Sequence, residues 1–399
     1  MRLSARYELA LIKNNISTYD RSSGQGLLID ALSSRFNRTS HRVLLTPGLE
    51  FKWKGLLITP SARLLMQHVE NDLASLTAPI TQKQTNVLPV LNVQYKTLNI
   101  SYSKDVVLPY YTFLIPVLDN TNPYFITLGN TALTPAKRNS VSVNYQFNDQ
   151  RRNFNASVYG NGGITNNDVI QSITVDEKGV QTMRPVNADG TQNMYLNFNL
   201  YKQFKKSQQF TLSVNAGGNY NYNRNRLLYN SESSWQSTFY LNNWVGASVN
   251  FNDKIEFNTS YSPGVNFTRY SNPVFRKLNI NYTWWDNEII VRWPSHVIWE
   301  SQFNISTNSN LPAGYPRQIL RWNGGINFTL GKSEAAVLKL SVFDILNQNT
   351  SVQTNANRNS ISTTQNNVLA RYVMATFTYN VRPMGAKKKV GGRERFNFF

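Results

Sequence analysis

Hydrophobic and polar residues alternate with a period of two along segment after segment of this chain. From Phe210 to Tyr222 the even positions read Phe, Leu, Val, Ala, Gly, Tyr, Tyr and the odd positions Thr, Ser, Asn, Gly, Asn, Asn. Strand side chains point alternately to opposite faces, so the pattern predicts a β-strand separating two different solvents. It recurs where Met194, Leu196, Phe198 and Leu200 alternate with Asn193, Tyr195, Asn197 and Asn199, and where Val245, Ala247, Val249 and Phe251 alternate with Gly246, Ser248 and Asn250. Leu278, Ile280, Tyr282 and Trp284 alternate with Asn279, Asn281 and Thr283, and Ile326, Phe328 and Leu330 with Asn327 and Thr329. The chain itself opens on Leu3, Ala5, Tyr7, Leu9 and Leu11. Asn competes with its own backbone for hydrogen bonds and is depleted in strands, yet about one residue in eight is Asn. A hydrated inner face accounts for it.

The pattern predicts strands near residues 3–12, 44–54, 56–68, 87–95, 98–107, 140–147, 153–160, 168–176, 192–202, 210–223, 235–251, 255–268, 276–285, 288–293, 297–306, 319–330, 336–345 and 369–381. Several exceed the roughly 5–6 residues usual in soluble domains and reach the roughly 9–11 that a tilted transmembrane strand requires. Short connectors (Trp53 to Leu56, Asn148 to Arg151, Asn252 to Lys254, Gly331 to Glu334) contrast with long polar ones (Asn14 to Arg42, Lys104 to Asn139, Arg224 to Ser234, Gln348 to Asn367). Short connectors at one end and long ones at the other are the layout of an outer-membrane barrel. The expectation is an all-β, antiparallel up-and-down transmembrane β-barrel of roughly 16–18 strands, or the C-terminal majority of one. Residues 1–382 form this barrel domain and residues 383–399 a basic, Gly-rich flexible tail.

Aromatic residues support the membrane. Trp284, Trp285, Trp293, Trp299 and Trp322 fall near strand ends, where amphipathic rings can mark a lipid headgroup layer, although core aromatics of a soluble sheet have the same composition. Asn193, Asn197, Asn199, Asn215, Asn219 and Asn221 are the expected lumen-facing polar set. Tyr372, Phe377 and Tyr379 in the last strand fit an aromatic assembly signal.

Composition removes several functions. With no cysteine there is no disulfide framework and no thiolate chemistry. The formal charge of +19 is dispersed through strands and loops, apart from Lys387, Lys388, Lys389, Arg393 and Arg395 in the tail, and folded aromatics between those basic residues are missing. Nucleic acid is therefore not an expected partner. His41, His68 and His296 are far apart in the sequence, and Gly160 to Gly163 lacks the Lys-Ser/Thr of a phosphate loop. Asp286 and Glu288 could work as acid and base, but their spacing at an expected hairpin reads more simply as a solvated turn. Triplets such as Asn15-Ile-Ser17 and Asn99-Ile-Ser101 match glycosylation acceptors by chance in an Asn-rich chain. No enzyme, cofactor or metal is expected.

Two stretches carry a family resemblance. Asn99-Ile-Ser-Tyr-Ser-Lys-Asp-Val-Val-Leu-Pro109, then Asn122-Pro-Tyr, then Leu128-Gly-Asn-Thr-Ala-Leu-Thr-Pro135 before the strand at Val141, resembles the barrel of TonB-dependent outer-membrane receptors. Thr131 replaces that turn's usual second proline. Leu338 to Asn349, Asn367 to Tyr372 and Phe377 to Val381 resemble the same receptors' final strands, closest to the outer membrane protein β-barrel subfamily. The resemblance implies a Gram-negative outer-membrane location and uptake of an iron chelate, glycan, peptide or cofactor, an unknown small solute here. It implies contact with outer-membrane lipid and lipopolysaccharide, and insertion by the barrel assembly machinery. TonB would be a partner only with a plug domain present elsewhere; no plug, carboxypeptidase-like domain or signal peptide is recognisable, so a truncated receptor is expected. The alternatives are a plugless pore or a surface anchor or adhesin, and, in a different class, a soluble β-sandwich or propeller.

Overall fold

The computed structural model describes residues 2–20, 24, 26–29, 32–73, 79–205, 207, 209–311, 314–330, 335–357 and 360–379. The expected tail and the expected turn Gly331 to Glu334 lie outside them.

In chain order the strands are β1 (Arg2–Ile16), β2 (Tyr19–Asp20), β3 (Leu27–Leu28), β4 (Ser34–Gly48), β5 (Phe51–Trp53), β6 (Leu56–Leu73), β7 (Ile80–Tyr95), β8 (Leu98–Val107), β9 (Leu118–Asn122), β10 (Phe125–Leu128), β11 (Ala136–Asp149), β12 (Phe154–Asn166) and β13 (Asp168–Val175). There follow β14 (Gln181–Ala188), β15 (Thr191–Lys205), β16 (Phe210–Tyr229), β17 (Glu232–Phe251), β18 (Ile255–Tyr270), β19 (Leu278–Val291), β20 (Val297–Asn308), β21 (Gln318–Leu330), β22 (Ala336–Phe343), β23 (Ser351–Asn357), β24 (Ser360–Asn366) and β25 (Tyr372–Tyr379).

Twenty-one of these join one sheet. Its wall is an antiparallel meander in which β1, β4, β6, β7, β8, β11, β12 and β15 each pair with the next. It continues through β16, β17, β18, β19, β20, β21, β22 and β25. β5 prolongs β4 against β6, and β9, β10, β13 and β14 stand to one side, so among the described residues the wall has sixteen strands. This is an up-and-down transmembrane β-barrel fold.

Register puts the apolar sets on one face, except Leu278, Ile280, Tyr282 and Trp284 of β19, which share the inner face. Opposite the wet odd positions of β16 stand the even positions of β17, since Asn219 faces Asn242 and Asn223 faces Thr238. The outer face carries Leu9, Leu91, Val141, Leu200, Val245, Phe257, Ile289 and Leu340, all more than a third exposed. The inner face buries polar groups, with Gln67, Glu256, Glu300, Asn327 and Ser341 each at most 6% exposed. A soluble domain would have the opposite distribution, so the solvent of the outer face is lipid.

One end has tight turns, as at Lys54–Gly55, where both residues have positive φ (42° and 85°) as a two-residue type I′ hairpin requires, and at the three-residue loop 252–254. The other end carries the segments 17–33, 108–135, 167–190 and 344–371 between wall strands. Four expectations change. Arg224 to Ser234 is not a long connector: β16 and β17 run on to a two-residue turn at Asn230–Ser231. Residues 276–293 hold one strand, β19, so Asp286 and Glu288 share a strand face and are not part of a turn. The expected strand at 168–176 exists as β13, but in a hairpin with β14 outside the wall meander. The connectors at 14–42 and 348–367 contain strand pairs, since β1 reaches Ile16, β4 starts at Ser34, and β23 pairs with β24.

Candidate functional site

The site is the inner face of the wall together with the segment 108–135. That segment begins after Pro109 with the apolar run Tyr110, Tyr111, Phe113, Leu114, Ile115 and Val117, which lacks the period-two alternation of a strand and forms a 3-10 turn at Tyr111–Leu114. Apolar side chains without a lipid-facing strand must be covered by protein. Leu114, Ile115 and Leu133 pack with Phe36 of β4 and Leu73 of β6 in one buried cluster. Phe36 and Leu73 pair across the β4–β6 ladder on the same inner face as Arg38 and Asn71. The segment therefore folds inward at the long-loop end.

Polar contacts fasten it on both sides. Arg38 Nη1 donates to the Pro109 carbonyl at 3.0 Å and its Nε to Asn71 Oδ1 at 2.7 Å. Gln82 Nε2 donates to the Leu133 carbonyl at 3.0 Å, and Asn14 Nδ2 to the Tyr111 hydroxyl at 3.3 Å. Toward the other side, Asn130 Nδ2 donates to the Pro185 carbonyl of β14 at 2.9 Å, and Asn187 Nδ2 to the Thr134 carbonyl at 3.0 Å. Phe113 also lines a cavity with Ile170 of β13, Pro185 of β14 and Asn225 of β16. The segment thus spans from the β1–β4–β6 side of the mouth to the β13–β14 hairpin. Gly129 makes this possible: a Cβ there would lie 2.0 Å from the Ile115 carbonyl oxygen, so only glycine allows the chain after β10 to approach the end of the 3-10 turn.

Below the mouth the inner face is polar. All six expected asparagines lie on it: Asn197 faces Asn219, whose Oδ1 accepts from Asn197 Nδ2 at 2.7 Å and from the Tyr195 hydroxyl at 2.9 Å, while Asn221 Oδ1 accepts from Asn223 at 2.6 Å. Asn193, Asn199 and Asn215 share this face but not this cluster. Charges are also inward: Arg63 pairs with Asp105, Arg42 with Glu8 at 3.3 Å, Arg292 with Glu256 at 3.3 Å and Lys339 with Glu300 at 3.3 Å. The part-exposed pairs of Arg42 and Arg63 contribute little, whereas the carboxylates of Glu256 and Glu300 are about 5% exposed and depend on their basic partners.

The five tryptophans do not share one face. Trp285, Trp299 and Trp322 project outward, Trp299 opposite Ile326 and Trp322 opposite Phe303. Trp284 projects inward beside Tyr282, whose ring lies 4.8 Å away. Trp293 sits in the short turn after β19, its carbonyl accepting from Trp299 Nε1 at 3.2 Å. In β25, Phe377 and Tyr379 face outward with Val373 and Ala375, whereas Tyr372 faces inward and stacks on Phe343 at 4.6 Å. Sequence reasoning missed the inward segment, although its dense aromatic run was the available signal. It also missed the inward turn of the Leu278–Trp284 apolar set, which the register of β18 on β19 fixes. Among the described residues no group of His, Asp and Glu could hold a metal ion.

Among solved structures, the chain is similar to OccK7 (OpdD) of Pseudomonas aeruginosa, with 9% identity over 94% of this chain and 96% of that chain and a TM-score of 0.26. The anion-selective porin from Comamonas acidovorans gives 11% identity, 86% and 88% coverage and a TM-score of 0.26. OccAB3 of Acinetobacter baumannii gives 7%, 94%, 98% and 0.25. No curated protein sequence matches. The family model described as "Outer membrane protein beta-barrel family" matches residues 2–379. With nearly the whole chain matched, and with polar groups buried inside and apolar residues outside, the protein belongs to the outer membrane protein beta-barrel family and resides in a Gram-negative outer membrane.

Proposed function

We propose that the protein is a selective diffusion pore of the outer membrane, its entrance narrowed by the segment 108–135. The observation that carries this reading is the packing of Leu114, Ile115 and Leu133 on Phe36 and Leu73, which fixes chain across the long-loop mouth of a polar-lined barrel. A solute small enough to pass the segment meets a wall of amides, hydroxyls and paired charges that can replace its water hydrogen bonds one at a time. The segment acts as a size filter, and the wall below sets preference. The outer face would meet lipid and lipopolysaccharide, with outward Trp299 at the headgroup level of the short-turn rim, Trp285 and Trp322 farther up the wall, and Phe377 and Tyr379 offered to the assembly machinery.

An energised receptor, with a separate plug engaging TonB, is the second reading, and the resemblance of residues 99–135 and 338–381 favours it. The first is preferred because the chain's own segment takes space inside the mouth that a plug would need. Osmotic swelling of proteoliposomes tests it. Swelling rates should fall steeply with solute size across a series of neutral sugars; vesicles that do not swell in the smallest of them would exclude a diffusion pore.

A further inference from the structure

Asp286 and Glu288, set aside in the sequence as a solvated turn, stand on the inner face of β19 directly after Tyr282 and Trp284. They border a cavity of about 240 Å³ whose lining includes Asn215, Asn258, Ser260 and Gln302, from β16, β18 and β20. Glu288 Oε2 accepts from Asn258 Nδ2 at 2.9 Å, and Asp286 Oδ1 accepts from Asn304 Nδ2. Amides orient both carboxylates without neutralising them. The neighbouring acids differ, since Glu256 is paired with Arg292 and Glu300 with Lys339. Among the described residues neither Asp286 nor Glu288 has an ion pair: Arg292 and Lys339 are engaged by Glu256 and Glu300, and Arg321 stands opposite Asn304, two strands from Asp286.

The aromatic groups next to them are the independent observation. Tyr240, Tyr282 and Trp284 form a continuous inward shelf, with Tyr240 stacked on Tyr282 at 6.0 Å and Tyr282 against Trp284 at 4.8 Å. The Tyr282 ring lies over Gly264, where a Cβ would come within 2.2 Å of it. Trp284 remains 43% exposed toward the lumen. An exposed indole face attracts a cation through its quadrupole, most strongly for Trp, and a carboxylate next along the strand supplies the charge-assisted hydrogen bond.

We propose that this inner-wall cavity, with uncompensated Asp286 and Glu288 below the Tyr282–Trp284 shelf, binds the cationic end of an amine- or guanidinium-bearing solute. In a chain of net charge +19 it is a local attraction for cations that the rest of the molecule repels. The proposal deepens the pore reading by naming a solute class, yet binding can be measured without transport.

Spermidine titrated calorimetrically into the full chain in detergent micelles is the test. Saturable binding is expected, weakened about tenfold or more by Asp286→Asn with Glu288→Gln, which keep shape and remove charge, and weakened separately by Trp284→Ala. No saturable heat, equal affinity in the double variant, or binding of maltose in place of spermidine overturns the proposal, the last in favour of a polyol site. Bilayer currents from the same preparation separate the two readings. A protein that binds spermidine but passes no current loses the pore and keeps the site; one that conducts without binding keeps the pore and loses the site.

Discussion

Arg38 donates to the carbonyl of Pro109 at 3.0 Å, tying the inner face of β4 to the start of the segment that crosses the barrel mouth. Arg38 is only 6% exposed, and the described partners of its Nε and Nη1 are the neutral oxygens of Asn71 and Pro109. Hydrogen bonds to a charged group contribute about 1.5–3 kcal/mol each. Arg38→Ala should therefore loosen the segment, raising single-channel conductance and current noise, as recorded in planar bilayers. Unchanged traces would mean that Arg38 is not a fastening point.

Two adjacent residues of β15 test the membrane orientation. Leu200 faces outward opposite Ala216, at the centre of the alternating run Phe210 to Tyr222, and Asn199 faces inward opposite Gly217. Leu200→Arg should cost about 2–4 kcal/mol of folding stability in bilayers, as for a cation near the midplane, and Asn199→Arg should cost little. Leu212 lies only two residues into β16 from the short-turn rim, so a cation there should cost about 0–1 kcal/mol. Urea titrations of folding into vesicles measure all three.

Gly129→Ala should prevent the inward segment from closing on itself, because its Cβ would meet the Ile115 carbonyl oxygen at 2.0 Å. The wall strands do not depend on that contact. Limited chymotrypsin digestion of intact proteoliposomes should then cut faster near Tyr110, Tyr111 and Phe113 while the barrel persists. Wild-type cleavage rates would count against the packing described for Gly129.

At the top of the β16–β17 hairpin, Asn230 and Ser231 both hold positive φ, 47° and 69°. Serine is strained there and glycine is not, so Ser231→Gly should stabilise the hairpin by about 0.4–1 kcal/mol. A matched pair of unfolding curves decides it.

The sequence was most legible where two solvents meet. Between Phe210 and Tyr222 lipid on one side and water on the other enforce alternation, and the ladder with β15 and β17 follows it residue by residue. Beyond the membrane that rule lapses. Arg224, Asn225, Arg226, Ser233 and Ser234 are polar on both faces, so strands that continue there look like a loop. β19 misleads for another reason: Trp284 and Trp285 are equally aromatic, and only pairing with Ser262 and Tyr261 assigns one to each face. The segment 108–135 is held by contacts from β4, β6, β7 and β14, which no local pattern reveals.

Whether the segment 108–135 narrows the pore is decided by single-channel recording before and after replacing residues 110–133 with a short Gly-Ser linker. Stable channels are expected from both proteins, with a several-fold larger conductance once the segment is gone. Equal conductance, or no channels in the intact chain, would contradict the narrowing.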